Sequence, residues 1–199
     1  MLERLASDVF QCPSCSLWLS SLAEPDGRLR KETTLSEHNR HDALKSLREV
    51  NNRRILMVLA GLTSSATPSV CEVGCGYGWF LETARSFGMN VIGIEPEEAV
   101  ARYPLKIGLG VRIGYFPDSL GDREVFDVLV FNDVLEHLLN PSQVISRCWE
   151  HLKPGGLLAI NFPSSEGILF GLSCFIRRLG VTRFCRKTAN DTLSEGIGG

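Results

Sequence analysis

The sequence predicts an α/β fold: a Rossmann-like, doubly wound, mostly parallel sheet with helices on both faces. Two observations support this prediction. Short apolar runs rich in valine and isoleucine alternate with stretches of helical length between residues 68 and 163, and a glycine-rich loop joins the first run directly to a helix. Continuous apolar runs are typical of strands buried on both faces, and repeated strand–helix–strand units make neighbouring strands parallel. The predicted strands are Val70–Val73, Asn90–Glu95, Val111–Ile113, Phe126–Asn132 and Leu157–Phe162.

Three helices are predicted between these strands, at Gly78–Phe87, Pro96–Tyr103 and Pro141–Leu152. The third has the clearest signals. Asn140 is a capping residue, Pro141 suits the first helical position, and the glycines after Pro154 would end the helix. Its apolar residues share one stripe, which we expect to face the sheet. They are Val144, Ile145, Cys148, Trp149 and Leu152.

The chain before the first strand falls into two segments. Residues 1–35 mix proline, serine and charge with little periodicity. Residues 36–67 are predicted to form a helix capped by Ser36 and then a linker, with Asn51 and Asn52 as a candidate interruption of the helix. The apolar residues that return near a helical period are Leu44, Leu47, Val50, Val58 and Leu62. Residues 68–163 are expected to form one domain, and residues 164–199 a helix and tail.

Composition narrows the class of protein. Lys and Arg number 21 and Asp and Glu 23, so a net charge of −2 gives no general attraction to nucleic acid or anionic lipid. Charges occupy the N-terminus where a signal peptide needs apolar residues, and Ile168–Ile176 is about half the length that spans a bilayer. The 7 cysteines are scattered, which argues against a disulfide framework. We expect a soluble cytoplasmic protein with no nucleic-acid partner and no membrane span.

The glycine-rich loop indicates what the domain binds. A buried strand leads into Gly74, Gly76 and Gly78 and then into a helix, whose free N–H groups attract negative charge. The dinucleotide pattern G-x-G-x-x-G fails because its sixth position is Trp79, and a Walker A loop would need a following Gly-Lys-Ser/Thr. Glu72 beside the loop would repel phosphates but suits an ammonium or a sulfonium group. S-adenosylmethionine carries both of these cations, and its carboxylate suits the helix N-terminus.

At these residues the chain resembles the class I S-adenosylmethionine-dependent methyltransferases of the type 11 and type 23 kind. EVGCGYG (72–78) resembles the first motif of that family and VIGIEP (91–96) the second. The stretches FDVLVFNDVLEHLLNPSQVI (126–145) and LKPGGLLAINFP (152–163) resemble the motifs of the fourth and fifth strands. The resemblance covers about residues 68–163 and implies S-adenosyl-L-methionine as the cofactor.

The resemblance also implies which residues hold the cofactor. Glu95 would accept hydrogen bonds from both ribose hydroxyls, and it independently lies about 20 residues beyond Gly74, the distance of a ribose-binding acid in a βαβ unit. Asn132, at the end of the fourth strand, would face the cofactor. Asp118 is the candidate partner of the adenine amine, and Tyr77 a candidate wall for the methionine part. The full expected set is Glu72, Gly74, Cys75, Gly76, Tyr77, Gly78, Glu95, Asp118 and Asn132.

The residues after the fourth strand are the catalytic candidates. Asp133, Glu136 and His137 are spaced i, i+3 and i+4, so on a helical turn they would share one face. Three interpretations stay open: His137 is a general base, the three side chains bind a divalent metal, or the stretch only packs the loop. The pattern resembles the E-x-x-E-H stretch of ubiquinone-pathway O-methyltransferases, with Asp133 in place of the first Glu. We take His137 and Asp133 as catalytic candidates and predict no resident metal.

Both ends of the chain look incomplete beside that family. Cys12 and Cys15 have the spacing of half a zinc knuckle and resemble the second half of a zinc ribbon that precedes some bacterial methyltransferases, so we expect no zinc site from this chain alone. Beyond Phe162 a helix is predicted at Gly167–Leu179, but neither of the family's two closing strands. The fifth strand would then be a bare edge.

The expected function is transfer of a methyl group from S-adenosylmethionine to a small-molecule acceptor, at oxygen or carbon. The alternative is a truncated, catalytically impaired protein that only binds the donor or a partner. An NAD-dependent oxidoreductase is disfavoured by the spacing of the glycines.

Overall fold

The computed structural model describes residues 3–4, 9–14, 18–20, 34–138 and 140–162. The chain divides into two compact units, Met1–Leu44 and Lys45–Gly199. Several sequence-based expectations lie outside the described residues: Cys15, the helix Gly167–Leu179 and the absence of two closing strands.

The described part of the first unit contains a small antiparallel sheet. Its strands are β1 (Glu3–Arg4), β2 (Val9–Gln11) and β3 (Trp18–Ser20), in sequential order. Cys12 directly follows β2. Strands of two or three residues are too short to show a period of two, so the sequence did not predict them.

Helix α1 (Thr34–Leu62) is continuous, so Asn51 and Asn52 do not interrupt it. The predicted apolar stripe is wrong in its exposed half: Val58 and Leu62 are 62% and 63% exposed. The side chains in contact with the core are instead those of Asn52, Leu56 and Leu59. A hydrophobicity pattern cannot identify the buried face of α1, because that face carries a polar residue and the exposed face carries apolar ones. The other residues of the predicted stripe are Val50, which is 50% exposed, and Leu44 and Leu47, whose side chains lie outside the described part.

The second unit is built on a five-stranded sheet in the order β6-β5-β4-β7-β8, in which every pair of neighbours is parallel. Its strands are β4 (Ser69–Val73), β5 (Asn90–Glu95), β6 (Gly110–Ile113), β7 (Phe126–Asn132) and β8 (Leu152–Asn161). The connecting helices are α2 (Trp79–Ser86), α3 (Glu98–Lys106) and α4 (Pro141–Cys148). The predicted bounds of β5 and β7 are confirmed.

Helices cover both faces of this sheet. Successive residues of β7 alternate between two clusters: Val128 and Val130 join the cluster that contains residues of α1 and α2, whereas Leu129 and Phe131 join the cluster that contains Cys148 of α4. This alternation follows from the period of two along a strand. The predicted doubly wound α/β fold is confirmed. Strand order reverses between β4 and β7, and in such sheets ligands bind at the carboxyl ends of the strands beside that point.

The connection from α4 to β8 differs from the prediction. Helix α4 ends at Cys148, a 3₁₀ turn (Trp149–His151) follows, and β8 begins at Leu152. The glycines after Pro154 therefore do not end the helix. They lie in β8 where its register against β7 shifts between Phe126 and Val128. Trp149, predicted on the buried stripe of α4, is 67% exposed because the turn rotates it away from the core.

None of the described helices combines the length and apolarity needed to cross a membrane.

Candidate active site

A glycine loop joins β4 to α2 at the carboxyl end of the central strand. Gly74, Gly76 and Gly78 have φ angles of 71°, 52° and 75°, which side chains rarely permit. The N–H groups of Gly74 and Cys75 donate to the carbonyl oxygen of Ile94, at 2.8 and 3.0 Å. These two bonds attach the loop to the end of β5.

Glu95, the last residue of β5, is buried and organises this loop. Its Oε2 accepts a hydrogen bond of 2.9 Å from the N–H of Gly76, and its Oε1 one of 2.9 Å from the N–H of Glu97. Each carboxylate oxygen can accept two hydrogen bonds, so each can still accept one from a hydroxyl group. A ribose with two neighbouring hydroxyls fits this arrangement.

Glu72 and Asn132 meet between β4 and β7. The side-chain amide of Asn132 donates a 2.9 Å hydrogen bond to Oε1 of Glu72, which is only 3% exposed. The other oxygens of the pair, Glu72 Oε2 and Asn132 Oδ1, are buried and have no hydrogen-bond partner within the described part of the chain. Burial raises the pKa of Glu72 to about 8, although the Asn132 bond and the charge of Arg48 oppose the rise. Buried acceptors without donors are costly, and an ammonium group would satisfy both oxygens.

Asp133 follows Asn132 and is held on two sides. It has a φ of 53°, its N–H donates to the carbonyl oxygen of Asn161 at 2.8 Å, and its carboxylate lies 3.0 Å from the guanidinium of Arg48 on α1. The 3₁₀ turn begins only at Leu135, so Asp133 does not share a helical face with Glu136 and His137, and that premise was wrong.

Glu136 and His137 are both exposed. Among residues 34–138 and 140–162, no three His, Cys, Asp or Glu side chains come together as a metal-binding group. The general-base role of His137 stays a prediction.

Two loop side chains, those of Cys75 and Tyr77, pack against other residues of the fold. Cys75 is buried and joins a small cluster with Leu81 and Leu109, and burial raises the pKa of its thiol. Tyr77 stacks on Trp79 with ring centroids 5.6 Å apart. Cys75 therefore presents only its backbone to the site, whereas Tyr77 belongs to an aromatic group at the start of α2.

Asp118 is the predicted residue that the structure does not bring to this group. It is exposed and lines a separate cavity of about 450 Å³ with Asp122, Glu150 and His151, to which no other predicted site residue belongs. Asp118 lies in the segment that follows β6, whereas His151 directly precedes β8.

Arg48 is the site residue that sequence analysis missed. It lies on the long N-terminal helix, far along the chain from the motifs, and no local pattern distinguishes it from the other basic residues of α1. Only the fold shows that its guanidinium reaches the loop after β7.

Comparisons with known proteins identify the family of the chain. A family model described as a methyltransferase domain matches residues 36–179. A ubiquinone biosynthesis O-methyltransferase of Pseudomonas putida is 33% identical over 129 residues, which cover 59% of this chain and 53% of that protein. The chain thus spans about half the length of such relatives.

Solved structures of low identity share the fold. A SAM-dependent methyltransferase from Archaeoglobus fulgidus is 21% identical, with a TM-score of 0.55 over 66% of this chain and 59% of that one. The plantazolicin methyltransferase solved in complex with SAH is 19% identical, with a TM-score of 0.55 over 68% of this chain and 56% of that one. The family match spans most of the sequence, and it shows that the chain belongs to the methyltransferase-domain family of class I S-adenosylmethionine-dependent methyltransferases.

Proposed function

We propose that this chain binds S-adenosylmethionine at the carboxyl ends of β4, β5 and β7 and transfers its methyl group to a small organic acceptor, at oxygen or carbon. One observation carries the proposal: Glu72 and Asn132 are hydrogen-bonded to each other across neighbouring strands, and their remaining oxygens, Glu72 Oε2 and Asn132 Oδ1, are buried without a hydrogen-bond donor in the described part of the chain. The α-ammonium group of the donor supplies N–H groups for both oxygens.

The remaining contacts follow from the positions of the other residues. Glu95 would receive the ribose hydroxyls, because its two oxygens are already oriented by backbone N–H groups. A side chain added at Gly76 would meet no atom within 4 Å, so this residue leaves space for a ligand against the loop. The donor's carboxylate would lie near the N-terminus of α2, where the helix dipole is positive. Asp118 has no place in this arrangement, since it lines the separate cavity.

The chain's own residues have two tasks in the reaction. The bound donor would supply an electrophilic methyl group attached to a sulfonium. The sulfur leaves as a neutral thioether, so no acid is needed to protonate the leaving group. The protein's main task is therefore alignment, which is worth roughly 7–11 kcal/mol in well-oriented systems. A hydroxyl acceptor also needs a base, and His137 is our candidate because it is exposed just beyond β7. Asp133 is already paired with Arg48, so we assign it to positioning rather than to proton transfer.

The names of relatives support the oxygen assignment in part. The Pseudomonas putida relative is named an O-methyltransferase of ubiquinone biosynthesis, and the SAH complex belongs to a plantazolicin methyltransferase. A small organic acceptor is compatible with both names. We place the reaction in the cytoplasm, as the free thiols of Cys71, Cys75 and Cys148 suit a reducing compartment.

Calorimetric titration with S-adenosylhomocysteine and with NAD tests donor binding. We expect the wild-type chain to bind S-adenosylhomocysteine and not NAD, because Trp79 stands where the dinucleotide-binding loop needs its third glycine. Gly76→Ala should weaken this binding at least about tenfold, since the new methyl group occupies the ligand's space. Gly108→Ala is the matched control: Gly108 has a φ of 73° and also no atom within 4 Å of an added Cβ, but lies outside the loop.

Both glycine variants should lose about 1 kcal/mol of unfolding free energy, because both force a side chain into the left-handed region. An equal loss of ligand affinity in the two variants, or preference for NAD, would contradict the proposed site. A panel of small hydroxyl acceptors then tests transfer. His137→Ala should lower turnover at unchanged donor affinity, whereas donor binding without turnover of any acceptor would favour the binding-only alternative.

A further inference from the structure

Arg48 connects α1 to the loop that follows β7. Its guanidinium lies 3.0 Å from the carboxylate of Asp133, and the two side chains are 46% and 33% exposed. An ion pair at this exposure contributes little stability by itself, because solvent screens both charges. The pair matters more for the site than for stability, because it fixes the position of Asp133 and places the positive charge of Arg48 near the loop after β7.

Asp133 is a junction of three elements. Its N–H donates to the carbonyl oxygen of Asn161 at the end of β8, and its carboxylate contacts Arg48 on α1. Its neighbour Asn132 donates to Glu72 on β4. Asp133 also has a φ of 53°, a conformation that costs a non-glycine residue energy and persists when surrounding contacts hold it. Arg48 is one of those contacts. It therefore helps to fix the backbone directly after Asn132, the last residue of β7.

Arg48 also acts on Glu72 through its charge. Burial is the main influence on this carboxyl and favours its neutral form, and the charge of Glu95 acts in the same direction. The Asn132 hydrogen bond and the positive charge of Arg48 favour the ionised form. The titratable or charged groups around Glu72 are Arg48 on α1, Cys71 on β4, Cys75 in the loop, Glu95 on β5 and, paired with Arg48, Asp133. Arg48 is the cation in this set.

We propose that Arg48 is a positioning residue of the donor site: its ion pair holds Asp133 beside Asn132, and its positive charge favours the ionised form of Glu72 that would bind the donor's ammonium group. The inference rests on the proposed function, because it assumes that the donor binds at Glu72. Binding then displaces the proton of neutral Glu72 into solvent, while the ammonium keeps its own protons. Donor affinity should accordingly rise with pH below the pKa of Glu72, which is about 8.

The test measures S-adenosylhomocysteine affinity by calorimetry at pH values from 6 to 9 in wild type, Arg48→Met and Arg48→Lys. Wild-type affinity should rise about tenfold between pH 6 and pH 7. Arg48→Met should bind about fivefold more weakly at pH 7. Near pH 9, where Glu72 is ionised in both proteins, the ratio to wild type should shrink to the smaller, pH-independent loss that comes from breaking the Arg48–Asp133 pair. Arg48→Lys keeps the charge and should restore most of the affinity and the wild-type pH profile. The ligand's own amine titrates identically in all variants and cancels in the ratio.

Arg102→Met is the matched control. Arg102 makes a similar pair with Glu98, at 2.9 Å on exposed α3, and should leave affinity unchanged at every pH. Asp133→Asn, which breaks the pair but keeps the charge of Arg48, should weaken binding without altering the pH profile; it also serves if Arg48→Met does not fold. An Arg48→Met effect of constant size at all pH values, or no effect, would overturn the proposal. Absence of wild-type binding at any pH would instead contradict the proposed function.

Discussion

Two carboxylates on neighbouring strands show how the two ends of the sheet differ. Asp127, near the amino end of β7, has an oxygen that accepts three hydrogen bonds of 2.7 Å, from the N–H and the hydroxyl of Ser69 and from Lys153. Glu72, near the carboxyl end of β4, accepts one bond from Asn132 and has a second oxygen without a partner in the described residues.

The pKa values of the two groups move in opposite directions. Partial burial alone would raise the pKa of Asp127, but the hydrogen bonds from Lys153 and Ser69 outweigh burial and lower the pKa to about 2. Burial raises the pKa of Glu72 to about 8. The same chemical group thus stabilises the fold where its partners come from the chain, and destabilises the ligand-free fold where its partners must come from a ligand.

The largest expected effect comes from removing the satisfied carboxylate. Asp127→Ala leaves the amide of Ser69 and the ammonium of Lys153 without their acceptor, and should lower the free energy of unfolding by about 3–4 kcal/mol. Equilibrium urea denaturation at pH 7 measures this loss. Asp122→Ala, at an exposed carboxylate, should change stability by less than about 0.5 kcal/mol. Similar losses in both variants would show that the hydrogen bonds of Asp127 add no more to the free energy of unfolding than an exposed carboxylate does.

The unsatisfied carboxylate should behave in the opposite way. Glu72→Gln removes a group whose pKa is raised above its ordinary value of 4.5 to about 8. Between these pH values the folded state binds a proton that the unfolded state has lost, so this group makes wild-type stability fall as pH rises. Glu72→Gln should therefore be more stable than wild type by about 2 kcal/mol at pH 6, and nearly equal to it at pH 4.5.

Urea denaturation of both proteins across this pH range measures the difference. Glu98→Gln, at an exposed acid of α3, should show no such trend with pH. Constant stability differences between pH 4.5 and pH 8 would mean that Glu72 is solvated in the folded state, and the contrast between the two ends of the sheet would disappear.

How far the sequence predicted the molecule depends on whether a feature is local. The bounds of β5 and β7 were predicted because continuous apolar runs between turn residues are local signals. The glycine loop and Glu95 were predicted because their spacing within one βαβ unit is also local. The buried face of α1 was not, since Asn52 lies on it and Val58 lies opposite.

Hydrogen bonds and ion pairs between residues far apart in the chain were not predicted from the sequence. Lys153 and Asp127 are 26 residues apart, and Arg48 reaches Asp133 only because α1 packs near the end of β7. Asp118 was assigned to the adenine amine from the position of its loop in the chain, but the loop places it in the separate cavity. Side-chain partners across elements depend on tertiary packing, which periodicity does not encode.

The smallest expected effect tests how much Ser69 and Lys153 each contribute to the stability that Asp127 provides. The hydroxyl of Ser69 donates to Asp127 Oδ2 and accepts the N–H of Asp127 at 3.0 Å, so Ser69→Ala removes two bonds but leaves Lys153 in place. We expect a loss of about 1 kcal/mol at pH 7. The pKa of Asp127 should rise from about 2 towards its ordinary value of 3.8, so the stability that this group contributes above pH 3.8 is lost at a higher pH on acidification.

The difference from wild type should accordingly shrink as pH falls from 4 to 2, which acid-titrated urea denaturation measures. Ser146→Ala provides the control, because its exposed hydroxyl donates only to the carbonyl of Ser142 on α4, and its effect should stay within about 0.5 kcal/mol at every pH. A Ser69→Ala loss that persists unchanged at pH 2, where Asp127 is largely protonated, would assign the stabilisation to the neutral bond with the Asp127 amide. The charge of Asp127 would then matter only through Lys153.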